Sequence, residues 1–156
     1  MAEETAGAEA LRELLEKIAD ALDLETEVEI TEDDERLTGT LTGDDLGLFI
    51  GRHGSTIEAV QHLAQRVVGD SDGPDKRRRV VVDAAGYRER REAVLQRQAE
   101  EAADDAISSG RPVALDAMTS SERRIVHEFL RDRGDVETHS EGQEPDRHLV
   151  VTPKTA

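Results

Sequence analysis

The chain has 156 residues, of which 36% are charged and 36% hydrophobic, with no cysteine, no tryptophan, one tyrosine, two phenylalanines and a formal net charge of −16. That length suits one domain or two small ones, and two small units are expected. The lack of cysteine excludes disulfides, thiolate metal sites and a cysteine nucleophile; acidic residues follow Met1 where a signal peptide would be basic, and no apolar run reaches a membrane span, so a cytoplasmic protein is expected.

Residues 1–7 carry no pattern and are expected to fray. From Ala8 to Leu22, Leu11, Leu14, Leu15, Ile18 and Leu22 form an apolar stripe with charges opposite, the signature of an amphipathic helix. Residues 25–30 alternate with Val28 and Ile30 on one face. Residues 36–42 alternate again with Leu37, Gly39 and Leu41, so a hairpin turning at Asp33-Asp34 is expected. Thr42-x-x-Asp45 has the spacing of a capping box opening a short helix that ends at Ile50. After it, Gly51-Arg52-His53-Gly54 forms a four-residue turn. Ser55-x-x-Glu58 is a second capping-box spacing, and Ile57, Val60, Leu63, Ala64 and Val67 give the following helix its buried stripe. Residues 69–75 read as a polar loop and 77–83 as a strand whose valines, Val80 to Val82, predict cover on both faces.

The glycine turn is the informative stretch. Gly51 and Gly54 allow a phosphodiester to approach the main chain, Ser55 would cap a helix whose positive end faces the same loop, and Arg52 and His53 point outward as donors. Ile50 and Ile57 would form an apolar wall facing a base. A glycine-broken turn between core helices, with no ligand, is the competing reading. Two other Gly-rich sites fail: Phe49 stands where a dinucleotide fingerprint needs a glycine, and no Gly-Lys-Ser/Thr follows as a P-loop requires. Charge is unevenly distributed. Residues 1–46 hold 16 acids and 3 bases, a net of −13, whereas Lys76 to Arg97 holds 8 bases and 3 acids, a net of +5. Lys76-Arg77-Arg78-Arg79 reads either as a phosphate contact beside the glycine turn or as a solvated strand entry.

In the second half, Tyr87 to Ser108 is rich in Ala, Glu and Arg and predicts a long helix ended by Ser109-Gly110. Pro112 to Leu115 is a short strand, and Thr119-x-x-Glu122 a third capping box. On the helix it opens, Ile125, Val126, Phe129 and Leu130 form the apolar face. Arg123 and His127, roughly 40° apart at about 100° per residue, form a polar stripe with Arg124 and Arg131 nearby. Such a row offers cationic donors and an imidazole, although on spacing alone a solvated helix face is the better explanation. The five histidines form no metal-ligand spacing and no serine sits in a nucleophile elbow, so neither metal nor cofactor nor catalytic residue is assigned. Three aromatics, Phe49, Tyr87 and Phe129, cannot make a broad base-stacking platform.

The order helix-strand-strand-helix-helix-strand, with Ile50-Gly51-Arg52-His53-Gly54 between the second and third helices, resembles a bacterial type II KH domain. Val82-Asp83-Ala84-Ala85-Gly86-Tyr87-Arg88-Glu89-Arg90-Arg91 resembles the junction in the Jag, or SpoIIIJ-associated (KhpB-like), family. Met118 to His127, followed by Val136 to Gly142 and Pro145 to Val151, resembles the R-three-H domain that follows it there. The resemblance implies an α+β fold with a KH domain at 1–84 and an R-three-H domain at 85–156, in a short form without the family's additional amino-terminal domain. It implies a non-enzymatic, cytoplasmic binder of single-stranded RNA, an RNA chaperone or post-transcriptional regulator linked to envelope growth or division, with a small single-KH protein as partner. Contacts would come from Ile50, Gly51, Arg52, His53, Gly54, Ser55 and Ile57 in the first domain. Arg88, Arg91, Arg123, Arg124, His127 and Arg147 would serve the second, with Arg147 pointing from its hairpin toward the helix stripe. The alternatives are a protein-interaction adaptor built on the KH scaffold, favoured by the acidic amino-terminal surface, and a single-stranded DNA binder.

Overall fold

A stripe of leucines every three to four residues needs an apolar surface to cover it, and in the first half a sheet provides that surface. Helix α1 (Ala6–Ala21) buries Leu11, Leu15 and Ala19 against the strands β1 (Glu27–Glu32), β2 (Arg36–Thr42) and β3 (Arg79–Ala84). The computed structural model describes residues 3–155, which divide into two units, Met1–Arg88 and Glu89–Ala156.

In the first unit the sheet order is β1-β2-β3, with β1 antiparallel to β2 and β2 parallel to β3; Val28 lies opposite Leu41, and Leu37 opposite Val80. The short α2 (Gly47–Ile50) and the long α3 (Ser55–Asp72) lie between β2 and β3 in the chain. The helices cover one sheet face: Leu37, Leu41, Val80 and Val82 are buried with Phe49, Ile57, Val60, Ala64 and Val68. Only that face is closed. Val81 on the other side is half-buried, so the valine run is not covered on both faces. The stripe of α3 also differs from expectation, since Val68 is buried where Leu63 is exposed. From Ile57, positions three, seven and eleven residues on return to one side at about 100° per residue, whereas Leu63 falls roughly 120° away. Helix α3 runs on to Asp72, through the first half of the expected loop.

The amino-terminal residues do not fray at Thr5. Its hydroxyl accepts from the Ala8 amide as the cap of α1 and donates to Glu32 at 2.7 Å. The clasp around it centres on Arg78, whose guanidinium donates to Glu32 (2.6 Å), to Asp72 (2.7 and 3.0 Å) and to Thr5 (2.8 Å), while Asp72 also accepts the Gly7 amide. Arg78 and Asp72 side chains are only 4% and 2% exposed. One cation thus ties the start of α1, the end of β1 and the end of α3 to the start of β3. Met1 and Ala2 lie outside the described residues.

β3 is an edge strand, and its outer edge is covered by side chains. Gln61 accepts from the Val82 amide (2.7 Å) and donates to the Val80 carbonyl; Gln65 accepts from the Val80 amide (3.1 Å) and donates to the Arg78 carbonyl (3.2 Å). Arg88 donates to the Val82 carbonyl at 2.6 Å.

The second unit takes in α4 (Tyr87–Ser109) from its third residue, together with β4 (Val113–Ala114), α5 (Ser120–Arg131), β5 (Val136–Glu141) and β6 (His148–Pro153). Its antiparallel sheet has the order β4-β6-β5. Small residues on α4, Ala99, Ala103 and Ala106, let that helix approach Val126, Leu130, Val136, Leu149 and Val151 closely around Leu95. The expected apolar face of α5 is narrower in the structure: Val126 and Leu130 are buried, Ile125 is half-buried, and Phe129, at the edge of that face, is 37% exposed.

Removing one member of a buried, hydrogen-bonded ion pair leaves the other charge uncompensated, so Arg78→Ala should lower unfolding free energy by about 3–5 kcal/mol in urea titration. The Arg78 hydrogen bond also holds the Glu32 carboxyl below its ordinary value of 4.5, against opposing desolvation. A depressed folded value means the stabilisation is complete above pH 4.5 and lost as pH falls through that lower value. In Glu32→Gln, the acid limb of a stability–pH curve should therefore be shallower than in the wild type.

Candidate nucleic-acid interface

Between α2 and α3 the backbone adopts angles that most side chains resist. Gly51 has φ +76° and ψ 177°, Gly54 has φ +76° and ψ 16°, and His53 between them sits at φ 54°. A Cβ on Gly51 would collide with the Thr56 hydroxyl and lie 2.8 Å from the Thr56 amide nitrogen; one on Gly54 would lie 2.7 Å from the Tyr87 hydroxyl. Both glycines are thus required by conformation and by space. Arg52–Gly54 forms a single 3₁₀ turn, closed by the Gly54 amide donating to the Gly51 carbonyl at 3.3 Å and the Ser55 amide donating to the Arg52 carbonyl, after the Gly51 amide has ended α2 on the Gly47 carbonyl at 2.8 Å. Arg52 and His53 are exposed on it, and their side chains make no hydrogen bond or ion pair among the described residues.

The caps differ from expectation. Neither the Thr42 nor the Ser55 capping box forms: α2 starts from Leu46, α3 starts from Gly54 in the left-handed region, and neither cap residue makes a side-chain cap bond. A left-handed glycine places the chain so that Ser55 is already the first helical residue, exposed at the mouth of the turn. Ile57 is 1% exposed and belongs to the core, so it does not form a base-facing wall; the turn's apolar surface is the half-buried Ile50, with exposed Leu48 two residues earlier. The four-residue Gly47–Ile50 helix can bury only one side, which Phe49 takes, and that shortness is the signal by which Leu48 could have been found.

The basic run is not beside this turn. It follows the carboxyl end of α3, and eighteen helical residues separate the two, about 27 Å at roughly 1.5 Å per residue. Of its members, Arg78 is turned inward, while Lys76, Arg77 and Arg79 are exposed. Arg88 is closer to the turn but engaged, donating to the Val82 carbonyl and to Gln61 (3.1 Å) and lying 3.7 Å from Glu58.

In the second unit the Thr119 capping box forms as expected, the Thr119 hydroxyl accepting from the Glu122 amide and Glu122 accepting from the Thr119 amide, each at 3.3 Å. Arg91 donates to the same Glu122 carboxylate at 2.7 Å. Arg123 does not lie on an outward row. It is buried, donating to the Met118 carbonyl (2.6 Å) and to Glu144 in the β5–β6 loop (2.5 Å). The reason is its angle on the helix: Arg123 shares the side of Val126 and Leu130, which the helix turns toward the sheet. His127 is exposed, with Nδ1 2.5 Å from the Thr138 hydroxyl on β5. Arg124 is exposed and donates to Glu128 at 2.9 Å; Arg131 lies 3.9 Å from the same carboxylate. Arg147 is half-buried and donates to the Gly142 carbonyl of its own loop at 2.6 Å; that bond directs it within the loop and not toward the helix stripe. Among the described residues no cluster of three or more His, Cys, Asp and Glu could hold a metal ion, and no helix is long and apolar enough to cross a membrane.

A sheet of order β1-β2-β3 with one parallel pair, covered by three helices and interrupted by a Gly-x-x-Gly turn, is a type II KH domain, and the unit that follows, with Arg123 and His127 on one helix against a three-stranded sheet, is an R-three-H domain. The KhpA/KhpB KH domain family matches residues 8–82 and the R-three-H domain family residues 93–153. Three relatives carry the name RNA-binding protein KhpB. That of Clostridium symbiosum is 36% identical over 144 residues, 91% of this chain and 64% of that protein. That of Lactiplantibacillus plantarum is 45% identical over 105 residues, 67% of this chain and 32% of that protein. That of Bacillus subtilis is 32% identical over 142 residues, 90% of this chain and 67% of that protein. The chain belongs to the KhpB family, and its matched part spans about two thirds or less of the length of these relatives.

Gly51→Ala should destabilise the first unit by about 1–3 kcal/mol, because alanine adds both a positive-φ penalty and the Thr56 clash. Chemical denaturation of this variant beside Gly69→Ala, a position where a Cβ meets nothing within 4 Å, measures the difference.

Proposed function

We propose that this chain binds single-stranded RNA through two modules, a KH domain at 1–84 and an R-three-H domain at 85–156, without catalysing a reaction. The observation that carries the reading is the glycine turn, where half-buried Gly51 and buried Gly54, both at positive φ, hold Arg52 and His53 exposed, their side chains without a partner among the described residues. A KH loop of this form holds phosphodiesters along its main chain. Gly51, Arg52, His53, Gly54 and Ser55 would lie along the phosphates, with Ile50 against a base. In the second module, His127, Arg124 and Arg131 supply the exposed contacts, Arg123 offers the one guanidinium nitrogen that now meets Glu144, and Arg91 and Arg147 support them from behind. Two weak modules on one chain gain affinity through effective concentration.

The relatives' name, RNA-binding protein KhpB, supports RNA as the ligand. The family resemblance extends the proposal to a cytoplasmic RNA chaperone or post-transcriptional regulator, linked to envelope growth or division and pairing with a small single-KH protein. A protein-adaptor use of the same scaffold is the second reading, favoured by the net charge of −13 over residues 1–46.

Because aspartate at the glycines would disturb the fold, the test uses the exposed pair Arg52→Asp/His53→Asp, and aspartate tolerates the left-handed angles of position 53. Wild-type protein should bind short single-stranded RNAs with affinity that falls steeply with salt, and the variant should lose at least tenfold with an unchanged melting temperature. Matching DNAs set the selectivity. No RNA binding, or binding indifferent to salt and to the substitutions, would sink the reading in favour of the adaptor.

A further inference from the structure

The cations of the second unit already hold anions of the protein's own. Glu128 follows Arg124 by four residues and precedes Arg131 by three, so all three side chains share one exposed ridge of α5. Its carboxylate accepts from Arg124 at 2.9 Å and lies 3.9 Å from Arg131. The Arg124 hydrogen bond keeps that carboxyl below the usual range, so it is charged at neutral pH. Glu144 stands in the same relation to Arg123. The guanidinium is buried and one of its nitrogens is spent on the Met118 carbonyl, while the other meets the Glu144 carboxylate, whose side chain is 59% exposed on the β5–β6 loop. In both cases an arginine's outward donors meet a carboxylate on a solvent-facing side chain. A carboxylate and a phosphodiester present the same pair of acceptor oxygens to a guanidinium.

We propose that Glu128 and Glu144 are resident counter-anions, occupying the places that phosphodiesters of a single-stranded nucleic acid take on binding, and thereby set the affinity of the second unit. The inference rests on the reading of that unit as a nucleic-acid binder. Binding is then an exchange. The phosphate displaces a carboxylate from each arginine, the released glutamate stays nearby as a repelling charge, and fewer counterions leave than the arginines alone would release. Two consequences distinguish this from an ordinary basic face. Neutralising either glutamate strengthens binding, and it also steepens the salt dependence, by about 0.7 in the log–log slope for each phosphate contact freed.

The test is fluorescence anisotropy of a labelled twelve-nucleotide RNA of mixed sequence with the full chain at several salt concentrations, in the wild type and in the Arg52→Asp/His53→Asp background that disables the glycine turn. Glu128→Gln and Glu144→Gln are compared with Glu100→Gln, an exposed residue of α4 with no ion-pair partner among the described residues. The expected result is a tightening of about three- to tenfold and a steeper slope for each of the first two, larger than that of Glu100→Gln. Equal tightening in all three variants would reduce the effect to net charge and overturn the proposal. Weaker binding by Glu144→Gln at an unchanged melting temperature would make that glutamate a required loop anchor and overturn its part. RNA binding by the wild type with neither variant altered overturns the inference alone, whereas no RNA binding by any protein overturns the functional reading and the inference together.

Discussion

A guanidinium withdrawn from water must find its balancing charge within hydrogen-bond range, and the first unit is assembled around one that does. Arg78 meets Asp72, Glu32 and Thr5 at once, so the ends of four elements distant in sequence can close only when all are in place. The partner groups are themselves occupied, Asp72 by the Gly7 amide and Thr5 by its helix-capping role, which leaves the site fully satisfied. Such a site penalises near-native packings, because any displaced partner leaves a buried charge uncompensated. The glycine turn lies at the other end of α3 from this clasp, and the helix fixes its distance and direction.

The same pairing recurs at five arginines near the candidate surfaces. Arg88 faces Glu58, Arg91 faces Glu122, Arg123 faces Glu144, and Arg124 and Arg131 share Glu128. A protein with a net charge of −16 has acids to spare for this, and the pairing reconciles an acidic composition with the proposed binding of a polyanion. On that proposal, affinity would be concentrated at the cations left open, of which Arg52 is the one on the glycine turn, and the paired ones would add little non-specific attraction.

The backbone motifs were legible because they are local. Gly51 and Gly54 need no distant residue to show their purpose, and Thr119 with Glu122 closes a box within a single turn. Ser55 with Glu58 has the same spacing and does not close, since the left-handed Gly54 ahead of it becomes the cap; a sequence pattern carries no sign of which residue wins that place. Side-chain direction was less legible. Among Lys76 to Arg79, nothing local marks Arg78 as the inward member, because its partners Asp72, Glu32 and Thr5 come from three other elements. Likewise Arg123 and His127 sit one helical turn apart, yet the sheet covers one and leaves the other in solvent. Ile57 was assigned to the surface and the core at once, and the core prevailed because position 57 shares its side of α3 with Val60, Ala64 and Val68.

The glutamine ladder on β3 has a bearing on assembly. The outward amides of Val80 and Val82 and the carbonyls of Arg78, Val80 and Val82 are committed to Gln61, Gln65 and Arg88. At the opposite edge of the sheet, Arg12 takes the Val28 carbonyl at 2.9 Å. A visiting strand finds the β3 edge already occupied from Arg78 to Val82, so that edge resists both edge-to-edge aggregation and partners that bind by adding a strand. A strand that adds to this sheet is thereby directed to β1 and away from β3.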